Sequence, residues 1–131
     1  MSRTIRQMVT LKAAPHEVYD ALMDSRRHAQ FTGDAARISR EVGGEIMAYG
    51  GYITGHNVEL IPDKKIVQTW RASDWPTGYE SRVAFVLAPV PAGTRLHFTH
   101  SSVPDDQYES IRQGWIDYYW TPMKALFNRD K

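Results

Sequence analysis

Apolar and polar residues alternate from Arg3 to Lys12: Ile5, Val9 and Leu11 share a face with Gln7, while Thr4, Arg6, Thr10 and Lys12 lie opposite. A period of two predicts a half-buried strand. Ala14-Pro15 breaks the run, and Pro15 suits the first turn of a helix with Val18, Tyr19, Leu22 and Met23 on its apolar face. Asp24-Ser25 caps a second short helix to about Phe31, followed by a turn at Thr32-Gly33-Asp34. Strands are then predicted over 37–41, 45–49, 52–61, 65–72, 80–88 and 94–103. The breaks between them are Gly43-Gly44, Gly50-Gly51, Pro62-Asp63, a Trp75-Pro76-Thr77-Gly78 loop and Pro91-Ala92-Gly93. Turns this close together predict antiparallel hairpins, six to seven strands in all.

Beyond Pro104 the period changes. Tyr108, Ile111, Trp115, Tyr118 or Tyr119, Pro122 and Leu126 recur at steps of three and four, and Ile116, Trp120, Met123 and Phe127 widen the stripe. This predicts a long C-terminal helix, bent near 118–122 where Pro122 removes a backbone hydrogen bond. So wide a stripe needs a large apolar partner, which a curved sheet supplies. The predicted architecture is therefore α+β: a curved antiparallel sheet around a long C-terminal helix, with two short helices after the first strand. A bent helix leaves part of the concavity unsealed.

The chain has 131 residues, enough for one domain over 1–131 with a real core, and 42% of them are hydrophobic. Sixteen basic against fifteen acidic residues leave a net charge of +1, too even for phosphate-backbone binding, so no nucleic-acid partner is expected. Absence of cysteine removes disulfides, thiolate nucleophiles and zinc-thiolate sites, and fits a cytoplasmic, reducing compartment. No apolar run reaches the roughly 18 residues of a membrane helix, and the N-terminus has no signal-like stretch, so neither membrane insertion nor export is expected.

Strand parity then selects candidate residues. Ser81, Val83, Phe85 and Leu87 share one face, Thr94, Leu96, Phe98, His100 and Ser102 another; Ile66, Gln68 and Trp70 belong together, as do Tyr52, Thr54, His56, Val58 and Leu60. All four sets are assigned inward. The resulting lining is His56, Val58, Gln68, Trp70, Phe85, Phe98 and His100 from the sheet, with Trp115, Tyr119 and Met123 from the helix. Mostly apolar walls with His56, His100 and Gln68 as polar points are the makeup of a ligand pocket, and also of some ordinary cores. An interior imidazole has three uses: a satisfied structural group, a ligand contact, or an acid or base. Metal ligation is not expected, since no third ligand converges and parity sends His97 and His100 to opposite faces. No nucleophile elbow, phosphate loop or cofactor motif is present, so no catalytic residue and no cofactor is assigned. Trp75, beside Pro76 and Gly78, is a candidate cap on the pocket mouth or anchor for a partner protein, with local packing as the equal alternative. Gly114 is read as a point of close approach between helix and sheet, where an added methyl would clash.

Several segments, in order along the chain, carry a family likeness: Ala14-Pro15-His16-Glu17-Val18-Tyr19-Asp20-Ala21-Leu22, Gly43-Gly44-Glu45, and Gly55 through Pro62 leading to Ile66-Val67-Gln68-Thr69-Trp70-Arg71. Trp75-Pro76-Thr77-Gly78, Gly93-Thr94-Arg95-Leu96 and Arg112-Gln113-Gly114-Trp115 followed by Tyr118-Tyr119 extend it. Together they resemble the START-like (SRPBCC) superfamily, and within it the activator of the ninety-kilodalton heat-shock-protein ATPase, closest to that activator's C-terminal domain. The resemblance implies a helix-grip fold with a cavity between sheet and helix that in many relatives holds a lipid-like or polyketide-like molecule. It also implies a co-chaperone role, although the eukaryotic activator carries a further N-terminal domain that does much of the chaperone engagement.

The leading expectation is non-enzymatic binding of a small hydrophobic or aromatic ligand between sheet and helix. The alternatives are a co-chaperone-type interaction module acting through Trp75 and nearby charges, and a cyclase- or hydrolase-like cavity enzyme using an interior histidine. The partners considered are accordingly a small apolar ligand, a heat-shock-protein chaperone and a second copy of the chain.

Overall fold

In the computed structural model, which describes residues 2–32, 36–75 and 79–129, seven strands form one antiparallel sheet. They are β1 (Ser2–Leu11), β2 (Arg37–Ile38), β3 (Glu45–Ala48), β4 (Ile53–Ile61), β5 (Lys65–Ala72), β6 (Ser81–Val90) and β7 (Gly93–Pro104), ordered β1-β7-β6-β5-β4-β3-β2 across the sheet. Helices α1 (Pro15–Met23) and α2 (Ser25–Thr32) follow β1 as the sequence predicts. The predicted turn residues 33–34 and 76–78, and the tail residues 130–131, lie outside the described residues.

Hairpins join each strand from β2 to β7 to the next, and β1 closes the sheet against β7. Strand β2 is shorter than its sequence predicts. The N–H of Gly44 bonds the Glu41 carbonyl at 3.0 Å and that of Gly43 bonds Asn57 at 2.8 Å, turning the chain out of the ladder. Gly43 makes this turn at φ +83°, open to glycine without steric cost.

Two irregularities redirect side chains. In β4, Asn57 pairs with Gln68 and Glu59 with Val67, leaving Val58 as an extra, bulged residue. In β7, Ser102 has φ +60° where the pairing with β1 shifts register, so Val103 is buried and Ser102 exposed, against the inward assignment of Ser102.

The C-terminal helix has three parts: α3 (Tyr108–Trp115), a π-helical turn (Ile116–Trp120) and α4 (Thr121–Arg129). The irregularity predicted from Pro122 thus takes the form of a π turn just before it. Wider turns leave carbonyls without their α-helical donors, and side chains from the sheet layer supply replacements. The Ile116 N–H goes to Gln113, and the Gln7 side chain donates to the Arg112 carbonyl at 3.2 Å. Pro122 has no N–H for the Tyr118 carbonyl, which accepts instead from the Tyr49 hydroxyl at 3.0 Å. Gln7 also accepts from Trp120 Nε1 at 2.6 Å, fixing the helix to β1. The core lies between the concave sheet face and this helix, where Ile5, Val83, Phe85, Leu96 and Phe98 meet Trp115, Trp120, Met123 and Phe127, all buried.

Candidate functional site

Aromatic rings fill the deep concavity. Trp115 lies 4.3 Å from Phe98, 4.5 Å from Tyr119 and 4.8 Å from Trp70 between ring centroids, and Phe85 lies 5.2 Å from Phe98. What remains among Leu22, His28, Ile46, Gln68, Phe85 and Tyr119 is a void of about 10 Å³, roughly one water's worth of room. No enclosed chamber for a ligand exists among these residues.

Polar atoms inside this packing are matched to one another. Trp115 Nε1 donates to His100 Nδ1 at 3.0 Å, so that nitrogen is an acceptor. Ser81 Oγ donates to the Trp70 carbonyl at 3.0 Å and therefore accepts from His100 Nε2–H at 2.6 Å. The hydrogen bonds select a neutral imidazole with its proton on Nε2. Burial favours the same state, lowering the His100 pKa to about 3. With both ring nitrogens engaged, His100 has no lone pair left for substrate. His28 of α2, which parity did not single out, is buried with Nε2 2.8 Å from the Tyr119 hydroxyl; burial lowers its pKa to about 4 and raises that of Tyr119 well above the usual 10.

A second chain of hydrogen bonds runs along the sheet. Trp70 Nε1 donates to Gln68 Oε1 at 3.1 Å, and Gln68 Nε2 donates to Asn57 Oδ1 at 3.1 Å. Asn57 Nδ2 then donates to the carbonyls of Ser39 at 2.7 Å and Glu41 at 3.0 Å. This relay ties the strand core to the turn after β2, so Gln68 is a structural amide rather than a free contact for a ligand.

Space for a ligand opens nearer the surface. A solvent-accessible cleft of about 460 Å³ lies between α3, the π turn and the β3–β4 corner. It is lined by Tyr49, Tyr52, Ile53, Trp70, Ser110, Ile111, Gly114, Trp115, Tyr118 and Tyr119. Tyr49 reaches it from a tight turn at φ +53°, and Tyr118, 60% exposed, is presented by the π turn. Gly114 faces this space: a methyl there would meet nothing nearer than Tyr118 Cδ2 at 3.7 Å, an ordinary contact. That corrects the expected clash, because the helix face at Gly114 borders the cleft and not the sheet.

Of the residues selected by parity, Trp70, Trp115 and Tyr119 line the cleft, while Phe85, Phe98 and Met123 are buried outside its lining. His56 and Val58 lie on the outer face, exposed, contrary to their inward assignment. Gly55 and Asn57 take the inward positions before the bulge. A glycine amid a strand was the available signal, since a side chain at Gly55 would collide with the Thr69 carbonyl. For Trp75 the structure favours local packing over the exposed anchor: it is buried, donates Nε1–H to Gln107 at 2.7 Å, packs edge-on to Tyr79 and holds the start of the C-terminal helix. Tyr49, Ile53 and Ser110 escape the periodicity argument because they sit in a turn, at a strand end or off the helix stripe, whereas Tyr52, which parity places inward, and Ile111 and Tyr118, which the stripe contains, are lining residues that the candidate set leaves out. Among the described residues, no group of three or more His, Asp or Glu could hold a metal ion, and no helix is long and apolar enough to cross a membrane.

Comparison with known proteins agrees with this architecture. Residues 12–128 match the model of the family described as Activator of Hsp90 ATPase homolog 1-like protein. An activator of 90 kDa heat shock protein ATPase homolog from Dictyostelium discoideum is 32% identical over 116 residues, covering 87% of this chain and 30% of that protein. The chain spans about a third of the length of the curated relatives it matches. The crystal structure of an HSP90 activator from Plasmodium falciparum superposes with a TM-score of 0.85 at 24% identity, covering 98% of this chain and 96% of that one. The solution structure of the Aha1 dimer from Colwellia psychrerythraea gives 0.82 at 22% identity, covering 95% and 96%. Both superpose on this chain's helix-grip, START-like architecture over nearly its whole length, and with the family match extending from the end of β1 to the end of α4, the chain belongs to the Activator of Hsp90 ATPase homolog 1-like family.

Proposed function

We propose that residues 1–131 act as a single, non-enzymatic binding module of chaperone-activator type, which engages an ATPase of the 90 kDa heat-shock class and stimulates its turnover. The observation that carries this reading is the family match over residues 12–128. Packing supports it, because a concavity filled by Trp70, Phe85, Phe98 and Trp115 leaves recognition to the surface. The test is the steady-state ATP turnover of the purified chaperone titrated with this chain. A saturable, several-fold rise is expected; an unchanged rate with no detectable complex would overturn the reading.

The cleft favours a second reading, in which a small apolar or aromatic molecule binds against Trp70, Trp115 and Tyr119. Its volume of about 460 Å³ falls within the roughly 300–1,000 Å³ of ligand sites. Native mass spectrometry of freshly purified protein tests this directly. A retained small molecule that disappears in Gly114→Leu supports it, and bare protein together with no quenching of tryptophan fluorescence by hydrophobic probes removes it.

A further inference from the structure

Over four of its seven strands the outer face of the sheet carries charge of one sign, while Glu45 and Glu59 stand on the outer face of β3 and β4. Outward positions on β1, β7, β6 and β5 hold Arg6, Lys65, Arg71, Arg82, Arg95 and His97, and no aspartate or glutamate. Such a face is unexpected in a chain with sixteen basic and fifteen acidic residues. Acidic side chains gather elsewhere, with Asp105, Asp106, Glu109 and Asp117 exposed along the first half of the C-terminal helix and the turn before it.

Of the five arginine and lysine side chains, two are engaged at home. Lys65 pairs with Glu59 of β4 at 3.1 Å, and Arg71 donates to the Trp75 carbonyl at 2.8 Å. Glu45 and Glu80 lie toward the other end of the face, in a recess shared with Arg37 and Arg71. Arg6, Arg82 and Arg95 are exposed and make no ion pair among the described residues. Between them the register aligns Met8, His97 and Val86 on neighbouring strands. Met8 is 61% and Val86 40% exposed. Unpaired cations around exposed apolar side chains reproduce the polar rim and apolar centre of a protein interface. A phosphate backbone would use the cations alone and gain nothing from Met8 and Val86.

We propose that this outer face, centred on Met8 and Val86 and ringed by Arg6, Arg82 and Arg95, docks an acidic protein surface. This deepens the chaperone-activator reading and rests on it: the face is where the chaperone would seat. Charge complementarity of this kind accelerates encounter and weakens with salt.

Binding of the full chain to the purified chaperone, measured by titration calorimetry at 50 and 300 mM NaCl, tests the assignment. The triple variant Arg6→Glu, Arg82→Glu, Arg95→Glu is expected to bind about 30-fold more weakly at 50 mM, and the unaltered chain to lose about 10-fold between the two salts. Charge reversal at exposed Lys124 of the C-terminal helix, Lys124→Glu, should stay within about twofold. The triple glutamine variant serves if charge reversal impairs folding, with an expected loss of about fivefold. A chain that binds the chaperone with the triple variants indistinguishable from it overturns the docking face alone. Failure of the unaltered chain to bind the chaperone removes both this proposal and the functional reading. Equally tight binding of duplex DNA or of anionic vesicles makes the face a general polyanion site and also overturns it.

Discussion

His100 illustrates how neighbours settle what a residue can do. A histidine on the inward face of a strand reads as structural, ligand-binding or catalytic; Trp115 on one nitrogen and Ser81 on the other leave only the structural role. The consequence is acid sensitivity. Burial depresses the pKa of His100 to about 3 and of His28 to about 4, against 6.5 for an exposed imidazole. The unfolded chain therefore binds protons that the fold refuses. The contribution of each group is complete above pH 6.5, shrinks as pH falls below it, and is fully lost only below the folded values. At pH 4 each group should have cost about 3 kcal/mol. Urea midpoints at pH 7, 5.5 and 4 should fall progressively, and more gently in His28→Asn; a midpoint constant down to pH 4 would contradict the assignment. Gly114 gives a second expectation at this scale. A methyl there meets only Tyr118 at 3.7 Å, so Gly114→Ala should gain about 0.5–1 kcal/mol of helix stability in a thermal melt. A loss instead would restore the tight helix–sheet approach that the sequence suggests.

Among the elements, β4 shows why period-two reasoning succeeds on some strands and fails on others. Strand β6 alternates without interruption, so Val83 and Phe85 face inward as their spacing predicts. On β4 the count began from the wrong parity, and the bulge at Val58 then shifted it again, sending His56 and Val58 outward. Gly55 carried a trace of this in the sequence; Asn57 carried none, because its task depends on the Ser39 and Glu41 carbonyls brought back by the preceding turn. Asn57→Ala would strip those two carbonyls and Gln68 of a partner, at a cost of about 2–4 kcal/mol in chemical denaturation. A change below about 0.5 kcal/mol would show that water replaces the relay without penalty. The C-terminal helix is similarly half legible. Its stripe of aromatic residues predicts length and burial, and Pro122 predicts a disturbance. The π turn over Ile116–Trp120, however, depends on Gln7 and Tyr49 arriving to satisfy freed carbonyls.

For the whole molecule, the sidedness of charge governs behaviour that net charge conceals. Like charges on β1, β6 and β7 repel across the sheet, so moderate salt should stabilise the isolated chain. We expect the melting temperature to rise by a few degrees between about 20 and 200 mM NaCl, and the rise to shrink when Arg82 is made neutral. A fall with salt would mean that attractive pairs dominate. What the amino-acid order determined alone is what depends on neighbours along the chain: alternation made seven strands, a three-to-four step made the gripping helix, and glycine and proline placed most of the turns. The tertiary structure decided what depends on groups far apart in sequence meeting in space. It filled the concavity with rings from β5, β6, β7 and the helix, and left an aromatic cleft where Gly114 contributes no side chain. It also brought Arg6, Arg82 and Arg95 from three strands onto one face without ion-pair partners among the described residues. The physical reason is range: backbone periodicity is local, whereas packing, hydrogen-bond satisfaction and electrostatic fields are fixed only once the sheet has closed.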